Sequence, residues 1–304
     1  MTSSPIVTVF GSLHYDIAVF GPDRPRKGET VTGTSWHPKF GGKGGNQAVS
    51  AAMSGISTFM IGAVAEDEFG RFLLETLRRR GVDDRFVRRD SSGSGTMSTG
   101  MSVAIFDEQG DYGAVIVSGT NLTLGDHDVA AAADLLARTT VLVLQNEIPD
   151  SANAAAAKMV KQAGGRVLIN AAPARPLSAD LAPLIDIIVV NAIEAEMLAG
   201  VPVVETLDGA LEAARKLVDR FPEVIVTAGG AGVAYANKNG DDIVLPAVKV
   251  KVESTHGAGD MFIGVLAAEI ACAKPISEAL SRANAEAAKL VATPENMRFN
   301  DMVA

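Results

Sequence analysis

The sequence predicts an α/β protein: a three-layer α-β-α arrangement around a mostly parallel central sheet, with a small β-sheet attached as a lid. Three observations lead there. Short apolar runs recur along the chain at Ile6–Phe10, Thr58–Ala63, Val141–Leu144, Arg166–Asn170, Ile187–Val190 and Val224–Thr227. Several are continuously apolar, as strands buried on both faces are. From the middle of the chain onward these runs alternate with helix-patterned stretches, the order of a parallel sheet covered on both faces. Residues 13–40 and 96–118 break the alternation and read as β structure outside the main layer.

The predicted helices are Gly45–Met53, Glu68–Arg80, Asp128–Ala137, Ser151–Ala163, Ala192–Ala199, Leu207–Arg220, Ala258–Ala271 and Ile276–Val291. Pro149-Asp150 before Ser151 and Gly164-Gly165 after Ala163 are start and stop signals. Residues 13–40 hold Pro22, Pro25 and Pro38 and a short alternating piece near Glu29–Trp36. Residues 96–118 read as a hairpin: Met97, Thr99, Met101, Val103 and Ile105 share a face, and Asp107-Glu108-Gln109-Gly110-Asp111 turns the chain toward Ala114–Val117. The two pieces pair as a small sheet, exposed on one face unless it covers a ligand or a second subunit. A further hairpin, Tyr235–Leu245 turning near Asn239-Gly240, fits an antiparallel edge of the main sheet. The division is therefore a core of residues 1–12, 41–95 and 119–304 and a lid of residues 13–40 and 96–118.

The 304 residues are 47% hydrophobic, enough for a large core, but only 5% aromatic. Plentiful alanine and glycine bring helices close to the sheet. A net charge of −9 argues against nonspecific nucleic-acid binding and against an anionic membrane surface. Cys272 is the single cysteine and lies in an apolar run, which predicts a buried, inert thiol and fits a reducing cytosol. His14, His37, His127 and His256 have no metal-ligand spacing. Met1-Thr2-Ser3-Ser4-Pro5 lacks the start of a secretion signal, and Asp260 and Glu269 interrupt the best candidate for a membrane span.

Chemistry concentrates in two glycine-rich stretches. Ser254-Thr255-His256-Gly257-Ala258-Gly259-Asp260 leads into a helix, so the amides of Gly257, Ala258 and Gly259 can turn toward an anion with the helix macrodipole behind them. Asp260 stands beside that cradle as a carboxylate able to take a proton, an arrangement suited to phosphoryl transfer onto a hydroxyl. The same residues also suit a turn in which Asp260 caps the helix. Upstream, Gly41-Gly42-Lys43-Gly44-Gly45-Asn46 offers amides, an ammonium and a carboxamide in one short space, a group able to read polyol hydroxyls. Asp16, after the first strand, can accept two hydroxyl hydrogen bonds or cap a turn. Standard nucleotide and hydrolase motifs are missing: Lys43 is followed by glycine rather than Ser or Thr, no G-x-G-x-x-G follows the first strand, and no G-x-S-x-G occurs. Asn191 and Glu194 read as a capping box at a helix start.

Together these stretches resemble the paired signatures of the ribokinase-like (PfkB) carbohydrate kinases, across nearly the whole chain and in the family's order. The resemblance implies a ribokinase-like fold and an ATP-dependent kinase that phosphorylates a primary hydroxyl of a sugar, ribose or a related pentose or hexose. It implies Asp260 as base, the amides of residues 257–259 as anion hole, and Asp16, Gly42, Lys43, Asn46 and Glu147 as sugar contacts. Asn191 and Glu194 then order Mg2+ and phosphates, partly through water. Thr227, Gly229 and Gly232 form a nucleotide loop, and Asn284 stands beside the adenine. It further implies a lid that closes over the sugar, a homodimer through the lid, and a cytoplasmic enzyme. Three departures stand out. Ser254 replaces an Asp of the family's monovalent-cation site, which puts potassium activation in doubt. His14 stands where Asn commonly faces the sugar. The tail Ala292-Thr293-Pro294-Glu295-Asn296 is atypical and ends early. A nucleoside kinase, with His14, Tyr15 and Trp36 facing a base, is the alternative, and a non-catalytic sugar- or nucleotide-binding protein is a further one.

Overall fold

A computed structural model of the chain describes residues 4–91, 97–109, 111–202, 204–294 and 297–298. Met1 to Ser3, Thr96 and Gly110 of the second lid segment, and Glu295 and Asn296 of the tail lie outside them. The strands are β1 (Ile6–Phe10), β2 (His14–Phe20), β3 (Ser35–Gly41), β4 (Ser57–Ala65), β5 (Val82–Asp90), β6 (Met101–Phe106), β7 (Tyr112–Val117), β8 (Val141–Gln145), β9 (Arg166–Asn170), β10 (Ile187–Asn191), β11 (Glu223–Thr227), β12 (Gly232–Asn237) and β13 (Asp242–Pro246). The helices are α1 (Lys43–Met53), α2 (Glu68–Arg79), α3 (Asp126–Ala131), α4 (Ala133–Leu136), α5 (Asp150–Gln162), α6 (Ala192–Ala199), α7 (Leu207–Leu217), α8 (Ala258–Ala271) and α9 (Ile276–Val291).

Nine strands form the central sheet in the order β13-β12-β11-β10-β9-β8-β1-β4-β5. β12 and β13 are antiparallel additions at one edge, as the Tyr235–Leu245 hairpin predicts, and the other pairings are parallel. The apolar side chains divide into two cores, one per face. Phe10, Leu142 and Ile188 lie with α5 and α7 on one side, and Val9, Val143 and Val189 lie with α1, α2, α8 and α9 on the other. Alternate residues of one strand thus serve both layers, which is why these strands read as unbroken apolar runs.

The small sheet has the order β3-β2-β6-β7. β2 pairs antiparallel with β3 and parallel with β6, so the two segments that break the sequence rhythm do join. In the first segment β2 is followed by β3, which begins at Ser35, later than the alternating piece near Glu29–Trp36, and Pro38 is tolerated because β3 is an edge strand. In the second, Met97 and Thr99 precede β6. Thr99 is buried against the core, with its hydroxyl on the Asp67 carboxylate (2.7 Å).

Two other expectations are corrected. The stretch Asp128–Ala137 is two short helices that begin at Asp126, because the Asp128 carboxylate accepts from the Gly125 amide (3.0 Å) and sits within the first turn; Ala132 separates them. Cys272 is exposed, not buried, because it follows the last turn of α8 where the chain emerges from the core. No helix among the described residues is long and apolar enough to cross a membrane.

Candidate active site

The site lies where the parallel strands end at their C-termini, the usual place for ligands on such sheets. α1 and α8 bring their N-termini to this edge. They approach closely at Gly264, where a Cβ would stand 2.5 Å from the Gln47 carbonyl oxygen. Two helix N-termini therefore aim their amides and positive dipole ends at one place.

Asp260 lies in the first turn of α8, in the angle between the two helices. Its Oδ2 accepts from Asn46 Nδ2 (3.1 Å) and its Oδ1 from Gln47 Nε2 (2.9 Å). Burial raises its pKa above the ordinary carboxylate value; the Lys43 charge and the two amide donors oppose that rise. The carboxylate is thus fixed from two sides and more basic than a surface aspartate. Asp260 does not cap α8: the N-cap is Gly257, in the left-handed region at φ 78°. Of the amides of residues 257–259, that of Ala258 makes a long bond back to the Thr255 carbonyl (3.3 Å).

Gln47 is fully buried and was not singled out by the sequence, yet it holds the Asp260 carboxylate. Its Nε2 also lies 3.2 Å from Asn170 Oδ1, and its Oε1 accepts from Gln145 Nε2 (2.9 Å). Gln145 and Asn170 are register partners at the ends of β8 and β9. A chain of amides therefore ties Asp260 to the sheet. The available signal was a polar residue closing each apolar strand.

The residues expected at the acceptor side come together around the starts of α1 and β2. The Lys43 amide donates to Glu147 Oε2 (2.9 Å), and Ser12 Oγ donates to the same oxygen. Gly42 takes φ 84°, a conformation glycine adopts freely, and turns β3 into α1. Asp16 lies on β2 rather than in a loop after β1, and Ser102 Oγ on β6 donates to its Oδ1 (2.5 Å). Burial raises the Asp16 pKa, against the Ser102 bond and the charges of His14 and Lys39. His14 is buried, and its Nε2 has no hydrogen-bond partner among the described residues. A buried polar atom left unpaired is costly, which fits a nitrogen that meets a ligand hydroxyl.

The nucleotide side is less convergent. Asn191 and Thr227 are register partners at the ends of β10 and β11. Asn191 caps α6 through its side chain, and Glu194 Oε2 accepts from the Asn191 amide (2.7 Å), a complete capping box. Both side chains are partly committed to the fold. Burial raises the Glu194 pKa, and the Lys43 ammonium is close enough to oppose it. Among the described residues, no group of three or more His, Cys, Asp or Glu is placed to hold a metal ion. What remains, one carboxylate oxygen beside an amide, fits a hard cation that keeps its waters and takes phosphate oxygens. Gly229 and Gly232 both adopt positive φ in the turn between β11 and β12. Asn284 donates to the Pro246 carbonyl (2.9 Å), and Pro246 is the register partner of Gly232, so Asn284 reaches the same rim with its amide nitrogen occupied. Of the three rings considered for a base, Tyr15 stacks on Phe69 at 4.1 Å, Trp36 is 60% exposed, and His14 is buried.

Comparison with known proteins agrees with this geometry. The model of the pfkB family carbohydrate kinases matches residues 5–300. A ribokinase of Haemophilus influenzae is 32% identical over 93% of this chain and 90% of its own length. A deoxyribokinase of Salmonella typhi is 32% identical over 86% of this chain and 84% of its own length. Among solved structures, an Arabidopsis thaliana ribokinase complexed with ribose and ATP superposes with a TM-score of 0.87 at 30% identity, covering 95% of this chain and 93% of that one. A match over almost the entire length, with the glycine-flanked aspartate and the lid in place, makes this chain a member of the pfkB family of carbohydrate kinases.

Proposed function

We propose that this ATP-dependent sugar kinase acts on ribose or a closely related pentose, at a primary hydroxyl, with Asp260 as its base. The observation that carries the reading is the position of Asp260: held by Asn46 and Gln47 where the N-termini of α1 and α8 meet, close enough to Lys43 and Glu147 for their charges to act on it. The relatives named ribokinase and deoxyribokinase, and the neighbour complexed with ribose and ATP, support the acceptor class.

Asp16, Lys43, Asn46, Glu147 and the Gly42 amide hold the sugar, and His14 Nε2 meets one of its hydroxyls. The acceptor oxygen attacks the γ-phosphorus, the bond to the β-phosphate oxygen breaks, and ADP leaves. The hydroxyl proton passes to Asp260. The amides of residues 257–259 and the dipole of α8 stabilise charge on the transferring phosphoryl group. Thr227, Gly229, Gly232 and Asn284 receive the nucleotide. Asn191 and Glu194 hold Mg2+ through water; bound there, it neutralises phosphate charge. The lid, residues 13–40 and 96–118, closes over the sugar and excludes water as a competing acceptor. Its exposed Trp36, Val115 and Ile116 give a second copy of the chain an apolar surface, and a cytoplasmic homodimer is the assembly proposed.

The test is ATP consumption with ribose, deoxyribose, fructose and a set of nucleosides. The highest kcat/KM is expected for a pentose. A nucleoside preferred over every sugar would transfer the reading to nucleoside phosphorylation.

A further inference from the structure

The loop that feeds α8 is gripped from behind by one side chain. Arg298 Nη2 donates to the carbonyl of Ser254 (2.5 Å), Nη1 to that of His256 (2.6 Å), and Nε to that of Thr293 (2.8 Å), just beyond the end of α9. The amides of Glu253 and Ser254 donate to the Val291 carbonyl (2.9 and 3.3 Å) and close the same seam. Leu290 packs beside Gly257. Arg298, His256, Gly257 and Leu290 line one wall of a cleft whose other wall holds Asn46 and Ser50.

Three carbonyl oxygens converging on one point form a cation site, since each turns the negative end of its dipole inward. The C-terminal end of α9 adds negative potential there. Ser254 brings no carboxylate, so the positive charge in this nest belongs to the guanidinium. The grip has a consequence across the peptide plane. A trans peptide points its N–H opposite its C=O. By holding the His256 carbonyl, Arg298 fixes the Gly257 N–H in the opposite direction, away from the guanidinium.

We propose that Arg298 is a positioning residue whose guanidinium acts as a resident monovalent cation, orienting residues 254–257 so that turnover needs no added potassium. The proposal rests on the reading of residues 257–259 as the anion hole, and Asp260→Asn tests that reading separately: undiminished turnover there removes the site assignment, whatever Arg298 does.

The experiment measures kcat and KM for ribose in wild type, Arg298→Lys and Arg298→Gln, with tetramethylammonium as the inert cation at fixed ionic strength, and then with potassium or millimolar guanidinium. Melting curves establish that each variant folds. Wild type is expected to respond less than about twofold to potassium. Losing one aimed donor typically costs on the order of 10² in kcat, so Arg298→Gln, which keeps a donor without the charge, should fall by about ten- to a hundredfold with KM for ribose little changed. Guanidinium or potassium should restore part of that loss, and Arg298→Lys should keep most of the activity. Strong, saturable potassium activation of wild type overturns the proposal. So do equal activities of Arg298→Lys and Arg298→Gln, or a loss that neither cation repairs.

Discussion

Replacing Gln47 by Glu changes one atom type beside the base and leaves the shape of the side chain. Gln47 Nε2 stands 2.9 Å from Asp260 Oδ1 and donates to it. In the variant two carboxylate oxygens face each other at that separation. Two full charges at about 3 Å repel by roughly 6 kcal/mol at an effective dielectric constant of about 20. At 1.36 kcal/mol per pKa unit this is an upper bound of about four units, so near neutral pH the pair holds one proton between its two carboxyls. The rest of the environment accommodates the change: the Gln145 amide can still donate to the other oxygen, and the Asn170 amide can rotate to donate as well. The sign follows from Asp260 acting in its ionised form. Burial raises its pKa, so with Asp260 as the proposed base the acid limb of the rate profile is expected above the ordinary carboxylate range, and the variant is expected to move it further up. The assay is kcat/KM for the sugar against pH in wild type and Gln47→Glu. Expected are a large loss at neutral pH, recovery in alkaline buffer, and a limb displaced by more than one unit; the two limb positions belong to the coupled pair rather than to either residue. A profile with an unmoved limb and a uniformly lower rate would refute the argument, and Gln47 would then be a packing residue.

Three further outcomes are expected. Asp260→Asn should lower kcat by about 10² to 10⁴ while calorimetry shows sugar affinity little changed. Gly41→Ala places a Cβ 2.0 Å from Asp16 Oδ2 and displaces that carboxylate from Ser102; mispairing a buried polar group costs roughly 1–3 kcal/mol, so KM for the sugar should rise about tenfold or more while KM for ATP stays constant. His14→Asn should shift the ranking of acceptors toward ribose and leave KM for ATP unchanged, because a carboxamide reaches a hydroxyl with different geometry from a buried imidazole; an equal factor for every acceptor would identify His14 as a packing residue of the lid.

The core was legible because its sequence and its packing say the same thing. β1 and β9 and the helices α6, α8 and α9 have the predicted ends: their apolar runs or faces stop where burial stops. β5 was missed for the converse reason. Val82–Asp90 carries six charged residues, which only an edge position permits, and an edge strand has no unbroken apolar run. α1 starts at Lys43 rather than Gly45 because Gly44 and Gly45 are helical for the sake of contact, not propensity. A Cβ at Gly44 would lie 2.6 Å from the Ser12 amide nitrogen. Cys272 misled because an apolar run was equated with burial up to its last residue.

In the site, the sequence exposed the parts that are contiguous along the chain and hid those assembled across it. Residues 257–260 and 41–46 each form one local device, and local spacing is what a sequence displays. Gln47, Gln145 and Asn170 meet only because α1 crosses the ends of β8 and β9, and Arg298 meets Ser254 only because the chain beyond α9 folds back on the loop before α8. A trace of the first of these groups was nevertheless present. Four successive parallel strands, VLVLQ, RVLIN, IIVVN and EVIVT, each end in a residue with a hydrogen-bonding side chain: Gln145, Asn170, Asn191 and Thr227. A buried parallel strand gains nothing in its own packing from a polar last residue. Four in succession, all at the end where such sheets bind ligands, mark a polar rim that must be answered by something outside the sheet. For Gln145 and Asn170 that answer is Gln47 and, through it, Asp260; Asn191 caps α6, and the Thr227 hydroxyl turns to the Val190 carbonyl. Read together, the four strand ends form one polar rim that runs from beside Asp260 to the turn after β11.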